Sequence, residues 1–187
     1  MHPLLFYLCF FSIQIWHGGG RSVGKTWRYP ICFAVTAVTG CFLWWLNERF
    51  PNPVTEVLAP NSGSPWEAGK LLFWPYIVGA LLEWRMAGRE GSRSGHCILL
   101  LLMPLLLMIL RAGMPGQSIA LLCALVLAGG MALYALVLRR RIWGGELLWY
   151  TLVILLGVAY LLFTALPPAG ALFTDPADAS VMATIPY

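Results

Sequence analysis

The stretch SIALLCALVLAGGMALYALVL fills residues 118–138, and Arg139, Arg140 and Arg141 follow it directly. It holds no Asp, Glu, Lys, Arg or His. As a helix it reaches about 31 Å, enough to cross a hydrocarbon core of about 30 Å. A helix that is apolar all round has no face to turn to water, so it belongs inside lipid or a large core. The arginines that end it mark the membrane surface.

Four more segments read the same way on either side of it: 30–46, 71–84, 97–110 and 147–166. The second and third are short as purely apolar runs. Each can borrow flanking residues, 66–70 before the second and 111–114 after the third. Pro75 and Pro104 interrupt these two spans, where kinks are expected because each proline removes a backbone donor. The fold expected is therefore an all-α polytopic transmembrane helical bundle of five spans. Composition agrees: the 187 residues are 59% hydrophobic and only 11% charged, with mean hydropathy +0.75. Soluble domains carry roughly 25% charged residues. A soluble enzyme, a disordered tail, a collagen-like fibre and a disulfide-stapled secreted domain are all excluded.

Charge placement predicts the orientation. Arg21, Lys25 and Arg28 precede the first span, Arg85, Arg89 and Arg93 separate the second from the third, and Arg139, Arg140 and Arg141 separate the fourth from the fifth. The other side holds only Arg49, Lys70 and Arg111. Because Lys and Arg favour the cytoplasmic side, the N-terminus should lie inside and the C-terminus outside a bacterial cytoplasmic membrane. The net charge of +4 then reflects topology beside an anionic leaflet rather than nucleic-acid binding. Trp27, Trp44, Trp45, Trp66, Trp84, Trp143 and Trp149 fall near span ends, as an interfacial belt does.

Residues 1–22 raise a separate question. Their apolar run, 4–16, lacks the basic start and small-residue cleavage site of a signal peptide. It would be a short sixth span. Gly18-Gly19-Gly20-Arg21 is also what a purine-rich ribosome-binding site yields when read as codons, and Val23 would be a GTG start. The expectation is a doubtful extension over 1–22 and a single transmembrane domain over 23–187. Gly19 to Thr26 fits the pattern of a phosphate-binding P-loop, but that loop works only between a strand and a helix of an open sheet. A span follows within a few residues, so no nucleotide is expected.

The longest outer segments are the loop 47–65 and the tail 167–187, which should meet at one mouth of the bundle. Ser64-Pro65-Trp66-Glu67 has the form of a capping box, with Ser64 accepting from an early amide and Glu67 reaching back to the cap. Lys70 lies three residues beyond Glu67 and can pair with it. Read functionally, Glu67 is instead an acid or a ligand contact at the membrane surface. Glu83 and Arg111 sit near span ends, where they are expected to snorkel. His2, His17 and His96 are placed in loops or at the terminus and form no metal cluster; the five cysteines, Cys9, Cys32, Cys41, Cys97 and Cys123, also lack metal spacing. No cofactor is expected. Ala124, Ala128 and Ala132 recur every four residues, a spacing that lets helices approach within the bundle or between copies of the chain.

From about Lys25 onward the chain resembles a family of small five-span bacterial integral membrane proteins classed as a domain of unknown function. Trp66-Glu67 and Lys70-Leu71-Leu72-Phe73-Trp74-Pro75 are similar to one family motif. Phe163-Thr164, Pro167-Pro168, Leu172-Phe173 and Asp175-Pro176 are similar to a second. Ala68 stands where the family has histidine, Asn61-Ser62 replaces an Asn-Glu pair, and Trp44 replaces a further histidine. The resemblance implies a shared scaffold and no activity. It marks Asn61, Trp66, Glu67, Lys70, Pro167, Pro168 and Asp175 as a candidate outer-face set.

The function expected is a non-enzymatic scaffold, or a protein that binds a partner or membrane lipid through its outer face. The alternatives are a small membrane enzyme or lipid-handling protein using Glu67, Lys70 and Asp175, and an oligomeric transport component. A closed, tryptophan-filled outer cap favours the first; a polar cavity reaching Glu67 favours the second.

Overall fold

The computed structural model describes residues 27–87, 92–114, 116–138 and 145–175. The apolar run 4–16, the P-loop-like stretch, Trp143, Pro176 and most of the expected cytoplasmic arginines lie outside these residues. The described chain is helical, without strands: α1 (Arg28–Arg49), α2 (Pro53–Leu58), α3 (Pro65–Ala87), α4 (Arg93–Gly113), α5 (Ile119–Leu133) and α6 (Glu146–Ala165). A π-helical turn, Tyr134–Leu138, extends α5. The five long helices fall on the five expected segments. Four of them, α1, α4, α5 with its π turn, and α6, are long and apolar enough to cross a membrane.

α3 and α4 form the centre. Buried Leu72, Phe73 and Tyr76 of α3 meet Leu99, Met103 and Leu107 of α4 in one core, which Leu122, Val126 and Leu127 of α5 complete. α1 and α6 add only Cys32 and Tyr160 to it; each buries two residues, Cys32 and Thr36 in α1, Gly157 and Tyr160 in α6. Small residues set the α1–α3 approach: Gly79 has no room for a Cβ because Thr36 Oγ1 occupies that space. The Thr36 hydroxyl donates back to the Cys32 carbonyl (2.8 Å), so it enters the apolar contact already satisfied. Pro75 and Pro104 sit inside continuous helices and are both buried.

The outer loop contains a helix that its composition disguised as irregular chain. Asn52 caps α2, its side chain accepting from Val54 N and Thr55 N (both 3.0 Å) while Thr55 Oγ1 accepts from Asn52 N (3.0 Å). Pro53 takes the first helical position, where a missing N–H costs nothing. α2 thereby lies across the start of α3.

Candidate functional site

Two clusters of polar groups are buried at opposite ends of α3. At its start, Lys70 is completely buried (0% exposed). Its ammonium meets Glu67 Oε1 and Oε2, each at 2.7 Å, and donates to the Glu56 carbonyl of α2 at 3.1 Å. Three donors thus have three acceptors. Glu67 Oε2 also accepts from Asn61 N (3.1 Å), and Trp74 Nε1 donates to the Val57 carbonyl (3.0 Å). α2 is therefore fastened to α3 through its own carbonyls.

Half of the expected capping box forms. Ser64 Oγ accepts from Glu67 N (3.3 Å), but Glu67 does not return to Ser64 N, which donates to Ser62 Oγ (3.4 Å). The buried ammonium takes the carboxylate in preference to the Ser64 amide, which Ser62 Oγ satisfies, since an uncompensated buried charge is the more expensive defect.

The two outer motifs meet. Trp66 N donates to the Leu172 carbonyl (3.0 Å), and the Trp66 ring packs on Tyr160, Phe163 and Phe173 at centroid separations of 4.9, 5.2 and 5.3 Å. Trp66 is thus a plug in the cap as well as a residue near a span end. Gly63 lies so close to the Asp175 carboxylate that a Cβ would collide with it, and Arg111 Nε donates to the Gly63 carbonyl (3.2 Å). Arg111 is half-buried and held by the loop rather than snorkelling. Asn61, Trp66, Glu67, Lys70 and Asp175 are thus brought to one end; Asn61 stays exposed and is reached by Asn47 Nδ2 at 3.0 Å. Pro167 and Pro168 are exposed on the connection that leaves α6.

At the far end of α3 the expected positions of Glu83 and His96 need correction. Glu83 is buried (2% exposed) rather than snorkelling, and His96 lies in the first turn of α4, buried, rather than in a loop. His96 Nε2 is 2.8 Å from Glu83 Oε2, and His96 Nδ1 is 2.9 Å from the Tyr76 hydroxyl. A proton on Nε2 donated to Glu83 leaves Nδ1 to accept from Tyr76, so every group is matched. The Tyr134 ring stacks on His96 at 4.1 Å, and its hydroxyl accepts from Ser92 N (3.2 Å). The π turn sets Tyr134 in this place, while Gly95 lets the α4 backbone press against the Leu138 carbonyl. α3 and α4 pair here through positions 83 and 96, a match that sequence spacing alone does not specify because it depends on how tightly the two helices turn back on each other.

Two apolar cavities accompany these clusters. One of about 300 Å³ opens between α1, α3 and α5, lined in part by Phe33, Gly40, Trp44, Leu71 and Ala124. The other, of about 180 Å³, lies beside His96 between α3, α4 and α6. Neither is lined by Glu67, Lys70 or Asp175. Of the alanine stripe, Ala124 is half-buried and Ala128 exposed, both lining the first cavity, while Ala132 is exposed. Among the described residues no group of three His, Cys, Asp or Glu side chains could hold a metal ion.

No family model matches the chain, and no curated protein or solved structure is significantly similar to it.

Proposed function

We propose that the chain is a five-span integral protein of the bacterial cytoplasmic membrane, N-terminus inside and C-terminus outside, acting as a non-enzymatic scaffold with its binding face at the outer cap. α3 is the fifth span in this reading. Its 23 residues cover about 34 Å, and the hydrocarbon core is about 30 Å thick. Its low apolarity has a cause, because Glu67, Lys70 and Glu83 are paired or hydrogen-bonded inside the protein. Paired charges facing a bundle interior are the form in which membrane helices tolerate them.

The observation that carries the scaffold reading is the closure around Lys70. An acid–base site must let substrate reach the reacting atoms, whereas this ammonium is fully buried with each donor used. Of the candidate outer-face residues, Asn61, Pro167 and Pro168 are the exposed ones, at the rim of the cap.

A photo-crosslinking residue at Pro168, in native membranes, tests the binding face. A discrete adduct there, absent when the probe replaces exposed Leu136 at the other end, is expected. Labelling that is equal at both positions overturns the reading. Reporter fusions at Gly88, Gly145 and the C-terminus test orientation, and a cytoplasmic C-terminus would move the binding face to the other side.

A further inference from the structure

The cavity beside His96 is built from matched stripes. Ile77, Ala80, Leu81 and Trp84 of α3 recur at helical spacing and form one wall. Arg93, His96, Cys97 and Leu100 of α4 repeat the same spacing and form the facing wall, with Tyr150 of α6 closing the third side. The helices run in opposite directions, so Trp84 and Arg93 stand together at the mouth, while Ile77 and Leu100 lie about 10 Å deeper. The groove therefore grades from polar to apolar, as an amphiphile does.

Among the described residues, Arg93 and Glu146 bring a charge of each sign to its mouth. Arg93 is exposed, and its guanidinium carbon sits 4.4 Å above the Trp84 ring, which holds the cation in place. Glu146 opens α6 four residues before Tyr150, one turn from that groove-lining ring and on the same helical face. It is exposed, and a carboxylate is favoured at a helix N-terminus. Among the described residues neither Arg93 nor Glu146 is in an ion pair. Both His96 ring nitrogens are engaged inward by Glu83 and Tyr76, so the imidazole presents no free polar atom to the groove.

We propose that this groove binds a phospholipid with a primary ammonium headgroup, its phosphate on Arg93, its ammonium at Glu146 and the start of an acyl chain along Ile77, Leu81 and Leu100. A guanidinium offers phosphate a planar pair of donors. A primary ammonium offers a carboxylate three, which a quaternary ammonium does not. The site lies at the end of α3 opposite the outer cap and does not depend on the cap's role.

Native mass spectrometry of the full chain in detergent, titrated with phosphatidylethanolamine, phosphatidylglycerol and phosphatidylcholine of identical acyl chains, tests it. Phosphatidylethanolamine is expected to bind about tenfold more tightly than either other lipid, a difference of about 1.4 kcal/mol. Arg93→Gln should weaken all three. Glu146→Gln, a change at an exposed position, should bring phosphatidylethanolamine down to phosphatidylcholine while leaving phosphatidylglycerol no weaker. Equal affinities for the three lipids overturn the proposal, as does a phosphatidylethanolamine preference that survives Glu146→Gln. So does competition by glycerophosphoethanolamine as strong as by the whole lipid, because the apolar walls would then contribute nothing.

Discussion

The outer cluster around Lys70 and the inner cluster around His96 bury comparable chemistry, yet they are assembled in different ways. Glu67 and Lys70 are three residues apart on one helix, and their third partner is a backbone carbonyl. Glu83, His96 and Tyr134 come from α3, α4 and the π turn after α5. The outer cluster fixes a short helix onto a long one, whereas the inner cluster ties three long helices together. One is a local fastening and the other a tertiary lock, and substitutions in them should behave differently.

The largest effect is expected where a charge loses its partner in the local cluster. Lys70→Met leaves the Glu67 carboxylate buried beside Asn61 N alone, and breaking a buried pair in this way costs about 3–5 kcal/mol. Unfolding in mixed detergent measures it. The double change Lys70→Met, Glu67→Gln should recover part of the loss, and no recovery would mean the pair is not coupled.

A smaller loss should follow from the lock. Glu83→Gln keeps the shape and one acceptor but weakens a charge-assisted bond to His96, at about 1.5–3 kcal/mol. A double-mutant cycle with His96→Phe should give a coupling energy of about 0.5–3 kcal/mol. Additive losses would reduce the lock to two unrelated contacts. The smallest effect separates ring from polar group in the cap. Among the described residues Trp66 Nε1 is buried without a hydrogen-bond partner, so Trp66→Phe removes an unmatched donor while keeping an aromatic plug. Its melting temperature should change little, a loss of less than about 1.5 kcal/mol. Trp66→Ala should cost about 3–5 kcal/mol.

These differences also explain what could be read from the chain alone. Long apolar runs with arginines at their ends locate the helices, because lipid imposes length and polarity on each segment separately. Ser64, Glu67 and Lys70 were legible since their spacing is local. Asn52, Pro53 and Thr55 carried an equally local cap for α2, concealed by the turn-forming residues around them. His96 was not legible as a partner of Glu83, because the match depends on how tightly α3 and α4 turn back on each other. Trp66 against Phe163 and Phe173 depends on α6 returning to the start of α3, which no periodicity encodes. The alanine stripe misleads for a related reason. Small residues permit close approach, but which neighbour arrives is decided elsewhere, and here Met103 of α4 meets Gly130 while Ala128 and Ala132 stay exposed.

The bond between Glu83 and His96 also carries a temporal order. The carboxylate is synthesised 13 residues before the imidazole that receives it, whereas Lys70 emerges after both Glu56 and Glu67 have been made. The Glu67–Lys70 pair has all its partners once α3 is made, whereas Glu83 waits for α4 to follow. α3 therefore gains the partner of its second buried carboxylate only when α4 packs against it.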